Sequence, residues 1–266
     1  MKLSVSNIAW DSASDSAVYG MMKEFGFGGL EIAPTRIFPE RPYGRLQEAA
    51  SWREKLSREH GFCVPSMQSI WYGRKERLFA SPEERAALLD YTREAILFAE
   101  AVGCRNLVFG CPKNRAVPDG MAASEAGVIA VGFFRELGAF AVEHGTVIGI
   151  EANPAMYGTN FVNGTESALS LIEAVGSSGV KLNLDVGAMV ANAETVDVLG
   201  GRVSLVNHVH LSEPGLKPIQ KRELHRDLLA LLREGGYDGY LSIEMGKTET
   251  LDEVKKAMEY VGNLTA

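Results

Sequence analysis

The sequence predicts an α/β fold, a (β/α)8 TIM barrel occupying residues 1–266 as a single domain. Three observations lead there. Eight short β-rich runs alternate with longer amphipathic stretches, the pattern of βα units rather than of a helix bundle or a β-sandwich. The length of 266 residues matches one such barrel and leaves no room for a second catalytic domain. The long connections follow the carboxyl ends of strands, whereas most returns from helix to strand are very short, which puts the elaboration on one face.

The expected strands are 3–9, 29–32, 62–68, 106–109, 146–151, 180–185, 203–210 and 240–245, each short enough to cross a closed parallel barrel. Three of the intervening helices declare their ends. Ser81 is a capping residue, Pro82 takes the first helical position and Glu84 completes a capping box, after which apolar positions recur through Ala99. The stretches 123–144 and 221–234 end at Gly145 and at the pair Gly235 and Gly236, where a left-handed terminus forms most easily. The long loops are 33–44, 69–79, 110–120 and 153–164, and no Pro, Gly and Ser-rich linker divides the series. An open doubly wound sheet also alternates β and α. Here, however, the glycines of 25–33 precede a strand instead of following one, and no GxGxxG spacing occurs, so no nucleotide cofactor is expected.

Hydrophobic residues at 46% and charged residues at 23% suit a water-soluble body with a sizeable core and exclude a largely disordered chain. The net charge of −7 argues against non-specific binding to nucleic acid. Cys63, Cys104 and Cys111 cannot all pair within one chain and lack zinc-site spacing, so a reduced, cytoplasmic protein is expected, with Cys111 packed rather than nucleophilic. The amino terminus carries no sustained apolar segment before Asp11 and Asp15, and no apolar run is long enough to span a bilayer; no membrane partner is expected.

Chemistry collects at the later strands. They close as VIGIEANP, KLNLDVGAM, VNHVHLSE and YLSIEMG, which places Glu151, Asp185, His210 and Glu244 each at the carboxyl end of its own apolar run. On neighbouring strands roughly 5 Å apart, such groups can meet around one divalent ion. Without a cation, three buried like charges would carry a heavy desolvation and repulsion penalty. A set richer in oxygen than in nitrogen favours Mn or Mg, with Co, Fe or Zn also accommodated. His208 lies two residues before His210, on the same face and one layer deeper, as a neighbour of a ligand or a substrate contact. Glu213 orients a histidine, touches ligand, or is a solvated loop carboxylate.

The segments IEANP, LNLDVGAM, HVHLSEPG and GYDGYLSIEM, in that order, resemble the sugar phosphate isomerase/epimerase family of the xylose isomerase-like TIM barrel superfamily, which includes ketose 3-epimerases, hydroxypyruvate isomerase and inosose dehydratase. The resemblance covers the whole chain. It implies one divalent metal held by Glu151, Asp185, His210 and Glu244, with Glu151 and Glu244 also flanking the substrate carbon as catalytic acid and base. Chemistry gives these roles a reason. Moving a carbonyl along a sugar, or inverting the carbon beside it, requires removal of a weakly acidic C–H proton and stabilisation of an enediolate, which a cation supplies. Epimerisation needs one base on each face of that planar species. The expected function is therefore isomerisation or epimerisation of a sugar, sugar phosphate or related hydroxy-ketone. Ketose epimerases of this kind carry a histidine three residues after the aspartate, where this chain has Ala188, and an arginine after the strand-seven histidine, where Lys217, the nearest cation, is the expected substrate contact. That departure points to a changed substrate pocket.

Further substrate contacts are expected around the rim. Arg36, Arg74, Lys113 and Arg115 suit a phosphate, carboxylate or uronic acid group, unless they simply face solvent. Trp10, and Trp71 with Tyr72, either stack on a sugar face or pack beneath loops. Glu31 is placed to bind substrate hydroxyls, and His225, in a helical run, is structural. Phe38, Tyr43, Trp71 and Phe79 suit a homodimer interface or a lid. Two other functions remain open: a dehydratase acting on a keto-polyol such as an inosose through the same first proton abstraction, and a non-catalytic, metal-containing sugar-binding protein. A nuclease of the same superfamily would need many more histidines than the five present, so no nucleic-acid partner is expected.

Overall fold

Short aliphatic runs bounded by turn residues become β1 (Lys2–Ser6), β2 (Gly29–Glu31), β3 (Leu107–Phe109), β4 (Ile148–Glu151), β5 (Val180–Asp185), β6 (Val206–Ser212) and β7 (Tyr240–Glu244) in the computed structural model, which describes residues 1–265. They form one parallel sheet in the order β2-β1-β7-β6-β5-β4-β3. The eighth stave is the segment 62–68, predicted as a regular strand and found as an irregular one. Pro65 has no N–H to give to a ladder, and the segment pairs only through isolated bridges of Gly29 with Cys63, Ile32 with Met67, and Met67 with Leu107. Backbone bonds from Leu30 N to Cys63 O and Gln68 N to Ile32 O (2.9 Å each) tie it to β2. Bonds from Met67 N to Asn106 O (2.9 Å) and Val108 N to Met67 O (2.8 Å) tie it to β3. These close the (β/α)8 barrel.

The surrounding helices are α1 (Asp15–Glu24), α2 (Pro34–Ile37), α3 (Leu46–His60), α4 (Pro82–Val102), α5 (Ala123–Glu143), α6 (Thr165–Val175), α7 (Val186–Ala191), α8 (Glu223–Glu234) and α9 (Asp252–Thr265). The Ser81 side chain accepts from Glu84 N and caps α4. Behind α8 it is Gly236, with φ +73, and not Gly235 that takes the left-handed conformation. β4 starts two residues late, at Ile148, and β1 and β6 are shifted further from their expected limits. β1 stops at Ser6 because residues 7–9 turn into a 3-10 helix, in which Asn7 Oδ1 accepts from Ala33 N at 2.9 Å. β6 starts at Val206, after a second such turn, and runs on to Ser212, so His210 lies two residues inside the strand.

Alternation along the strands separates two interiors. Val5, Leu30, Ile150, Leu184, Val209 and Ile243 are buried in the aliphatic core. The other face is polar, with Ser4, Ser6, Ser66, Asn106, Asn183 and Ser242 all buried. Hydrogen bonds between strands that are not neighbours cross the lumen: Asn106 Nδ2 donates to Asn183 Oδ1 (3.1 Å) and Gln68 Nε2 to Ser6 Oγ (2.8 Å). A barrel lumen is more often packed with branched aliphatic side chains. Gly149 makes room for this network, because a Cβ there would stand 2.5 Å from Asn106 Oδ1. Among the described residues, no helix is long and apolar enough to cross a membrane.

Candidate active site

Glu151, Asp185 and Glu244 end β4, β5 and β7, and parallel pairing brings them to one end of the lumen. In register, Asp185 is level with His210, and Glu244 with Ser212 one layer further out. Glu151, Asp185, His210 and Glu244 each offer one ligand atom, all within 4.8 Å of one another. His210 is the hub. Its Nδ1 lies 2.9 Å from Glu151 Oε1, 3.3 Å from Glu244 Oε2 and 4.0 Å from Asp185 Oδ2.

The carboxylates are held from outside the cluster as well. Asp185 accepts from Ser212 Oγ and from Ala188 N, both at 2.5 Å, so it also caps α7. Asn183 Nδ2 donates to Glu151 Oε1 at 2.8 Å. A Cβ at Gly110 would meet Glu151 Oε2 at 2.8 Å, so the glycine lets that carboxylate pass. Burial, together with the charges of Glu151 and Glu244, pushes the Asp185 carboxyl up to about 8. Burial raises Glu244 too, against the pull of His210. Burial opposes a charge on His210, yet Glu244 and Glu31, with hydrogen bonds from the imidazole to Glu151 and Glu244, hold it well above the usual range. Three carboxylates crowded around one imidazole nitrogen, with Asp185 and Glu244 pushed up by burial, form a donor set that fits a divalent cation.

Glu31 lies under this cluster and is fully buried. Its Oε2 is 2.9 Å from His210 Nε2 and its Oε1 accepts from Gln68 Nε2 at 3.1 Å. His208 Nε2 stands 3.1 Å from the same Oε2 but out of line for a hydrogen bond. Burial favours a neutral Glu31, and the charge and hydrogen bond of His210, with His208 close beside it, overturn that and hold the carboxyl well below the usual range. The substrate-hydroxyl contact expected of Glu31 is therefore replaced by a grip on the back of His210. Burial pulls His208 below the usual imidazole range, against the influence of Glu31.

A cavity of about 450 Å³ opens outward from Glu151 and Glu244, lined also by Gln68, Trp71, Tyr72 and Lys113. The remaining expected contacts fare unevenly. Trp10 is buried and donates to Asp15 Oδ1 at 2.8 Å, which leaves no free face for a sugar. Trp71 reaches the cavity wall but is buried, and its Nε1 donates to Thr92 Oγ1 at 2.8 Å. Arg115, expected on the rim, is 1% exposed. It donates to the carbonyls of Phe109 (3.2 Å) and Glu151 (2.8 Å) and to Asn153 Oδ1 (3.0 Å), bracing the ends of β3 and β4. Glu213 is buried in an ion pair with Arg222 at 2.5 Å and touches neither histidine. Lys217 is exposed and outside the cavity lining.

Of the other rim cations, Arg36 pairs with Asp15 at 2.6 Å, while Arg74 pairs with Glu76 and lies over the Tyr91 ring, 4.6 Å from its centroid. Tyr43, Trp71 and Phe79 are core residues, and Phe38 packs edge-on against Phe98, so these aromatics do not form a free interface or lid. Burial pushes the Cys111 thiol up to about 12, which rules out a ready nucleophile. His225 is buried in α8, as a structural residue would be. Sequence reasoning missed Asn183, Asn153 and Gln68. The first two stand two residues from Asp185 and Glu151, the same-face spacing that could have found them.

The chain matches the model of the xylose isomerase-like TIM barrel family over residues 21–264, and it belongs to that family. No curated protein matches it in sequence. Among solved structures it resembles the 3-keto-D-glucoside 4-epimerase YcjR from E. coli at 19% identity, over 100% of this chain and 99% of that one, with a TM-score of 0.79. It resembles the D-allulose 3-epimerase of Methylomonas sp. in complex with D-allulose at 17% identity, over 99% and 96%, with a TM-score of 0.77. An AP endonuclease, family 2, from Brucella melitensis aligns at 16% identity over 99% of both chains, with a TM-score of 0.75. At such identities the likeness concerns the fold.

Proposed function

We propose that this protein is a divalent-metal-dependent isomerase or epimerase of a sugar or related hydroxy-ketone, in which Glu151 and Glu244 move the proton. One observation carries the reading: these two carboxylates lie 2.9 and 3.3 Å from the same imidazole nitrogen and both line the open cavity. The sugar epimerases among its structural neighbours support it. Glu151, Asp185, His210 and Glu244 would hold the metal, and their oxygen-rich set favours Mn or Mg. When bound, the cation supplies positive charge to the oxygen that becomes anionic as the proton leaves.

The chain's own residues do the rest. Burial that raises Glu244 suits it to carry a proton, while Asn183 orients Glu151 to accept one. Asp185, tied to Ser212 and the α7 amino end, keeps its place without taking part in the transfer. The test is NMR of a candidate ketose, D-fructose or D-allulose, with Mn-loaded protein in deuterated water. Deuterium washing into a carbon beside the carbonyl, with no loss of water, is the expected outcome. Elimination of water would instead identify a dehydratase, and tight binding with no exchange a sugar-binding protein.

A further inference from the structure

The cavity is larger than one sugar needs. At the packing density of organic crystals a hexose fills on the order of 200 Å³, against about 450 Å³ here. Its wall includes Tyr72, which is 71% exposed although the adjoining Trp71 is buried. A second groove on the outer side shares Tyr72, Gly73 and Arg74, so this loop is a partition between the two. The partition is a built one. Tyr72 N donates to Ser69 O at 2.9 Å, across a turn that holds Ser69 at φ +56, an unfavourable conformation for a residue with a side chain. Asn114 Nδ2 donates to the carbonyls of Arg74 (3.2 Å) and Glu76 (2.8 Å), clamping the loop to its neighbour. An aromatic face is thus presented at the mouth on a fixed support.

Charge narrows what could lie there. Arg74 is committed to Glu76 and Tyr91, and Arg115 to backbone carbonyls. Among the described residues lining the cavity, Lys113 is the one cation without an ion-pair partner. A phosphate dianion would find a single flexible ammonium and no guanidinium fork. A sugar ring, by contrast, offers an apolar C–H face to a tyrosine and hydroxyls to Lys113 and Asn114.

We propose that the substrate is a keto-sugar bearing a second, uncharged ring, a glycosidically linked sugar, with the reacting unit at Glu151 and Glu244 and the second ring against Tyr72. This substrate class rests on the reading of the protein as a sugar isomerase or epimerase.

Calorimetry on the Mn-loaded full chain tests it with D-fructose, D-fructose 6-phosphate and three ketose disaccharides of different linkage, turanose, lactulose and isomaltulose. At least one disaccharide is expected to bind about tenfold more tightly than D-fructose, the scale of one aromatic contact. Isomaltulose and D-fructose 6-phosphate carry their ring and their phosphate on the same oxygen, which separates the two chemistries directly. Tyr72→Ala is expected to bring the disaccharide-to-fructose ratio close to one, and Tyr72→Phe to keep it. Tightest binding of the phosphate, no preference for any disaccharide, or an unchanged ratio in Tyr72→Ala would each overturn the proposal. Deuterium exchange on the same samples reports the reaction separately. Preference for a disaccharide with no exchange in any sugar would sink the catalytic reading and leave the subsite. Exchange with fructose and no disaccharide preference would do the reverse.

Discussion

Below His210 the lumen is closed, and above it the barrel is open. Glu31, Gln68 and Ser6 are buried and joined by hydrogen bonds, of which the one from Gln68 to Ser6 crosses the barrel. Tyr72 and Lys113, at the mouth, are exposed. Strands position the floor and loops position the mouth. The floor can therefore fix a ligand nitrogen to within the tolerance that metal binding and proton transfer demand, while the mouth is free to set which sugar enters.

The largest effect is expected where floor and mouth meet. Glu244→Gln keeps shape and removes the titrating group, and turnover should fall by at least about 1,000-fold. Glu151→Gln should behave alike. Thermal stability should not fall with it, because each change takes one negative charge out of a crowded cluster. Steady-state rates with a saturating metal check this, and a variant that keeps a tenth of the rate would remove that residue from the proton transfer.

A smaller effect separates the floor from the mouth. Glu31→Gln weakens the hold on His210 Nε2 and should lower Mn affinity by roughly 10–100-fold, with KM for sugar unchanged once metal saturates. Equilibrium titration of Mn by electron paramagnetic resonance reads the first quantity without any turnover. A raised KM with intact metal affinity would put Glu31 back among the substrate contacts and erase the boundary drawn at His210.

This boundary also marks what the sequence could tell. Glu151, Asp185 and Glu244 were legible because each closes an apolar run, and a parallel barrel gathers strand ends onto one face. His210 survives an error in the limits of its strand, since the two-residue period fixes its face wherever the strand stops. Glu31 was legible as a position and not as a role. Its partners arrive about 180 residues later in the chain, and only closure of the barrel brings them to it. Arg115 shows the same limit in a loop. A basic residue after a strand can turn outward to solvent or inward to bare carbonyls, and the unsatisfied strand ends of β3 and β4 decided it. Residues 62–68 read as a regular strand; Pro65 interrupts its ladder, yet the stave forms because its neighbours on both sides still need partners.

Away from both regions, the barrel wall should show its own pH dependence. Burial lowers His225 to about 4 from 6.5, so the folded protein favours the neutral imidazole. That contribution is complete above pH 6.5 and is lost as the pH falls toward 4. Linkage puts the loss on the order of 2 kcal/mol between pH 7 and pH 5. The difference in urea midpoint between wild type and His225→Gln across that range checks it, and the variant should lose this contribution while keeping its metal affinity. An unchanged slope with pH in the variant would mean that the folded protein leaves the His225 imidazole in its ordinary range.

The smallest effect is expected at Lys217, which the sequence placed among the substrate contacts. The loop that carries it is tied down at three points: Glu213 to Arg222, Gly215 N to Tyr157 Oη at 2.7 Å, and Gly246 N to Leu216 O at 2.8 Å. With those bonds in place the lysine stands in solvent outside the cavity wall. Lys217→Ala should alter stability by less than about 0.5 kcal/mol and kcat/KM by less than about twofold. A tenfold fall in kcat/KM would mean that the bonds at Tyr157 and Gly246 open during turnover and that the loop folds over the substrate. The mouth would then be a moving part, and its contrast with the floor would lie in mobility as well as in exposure.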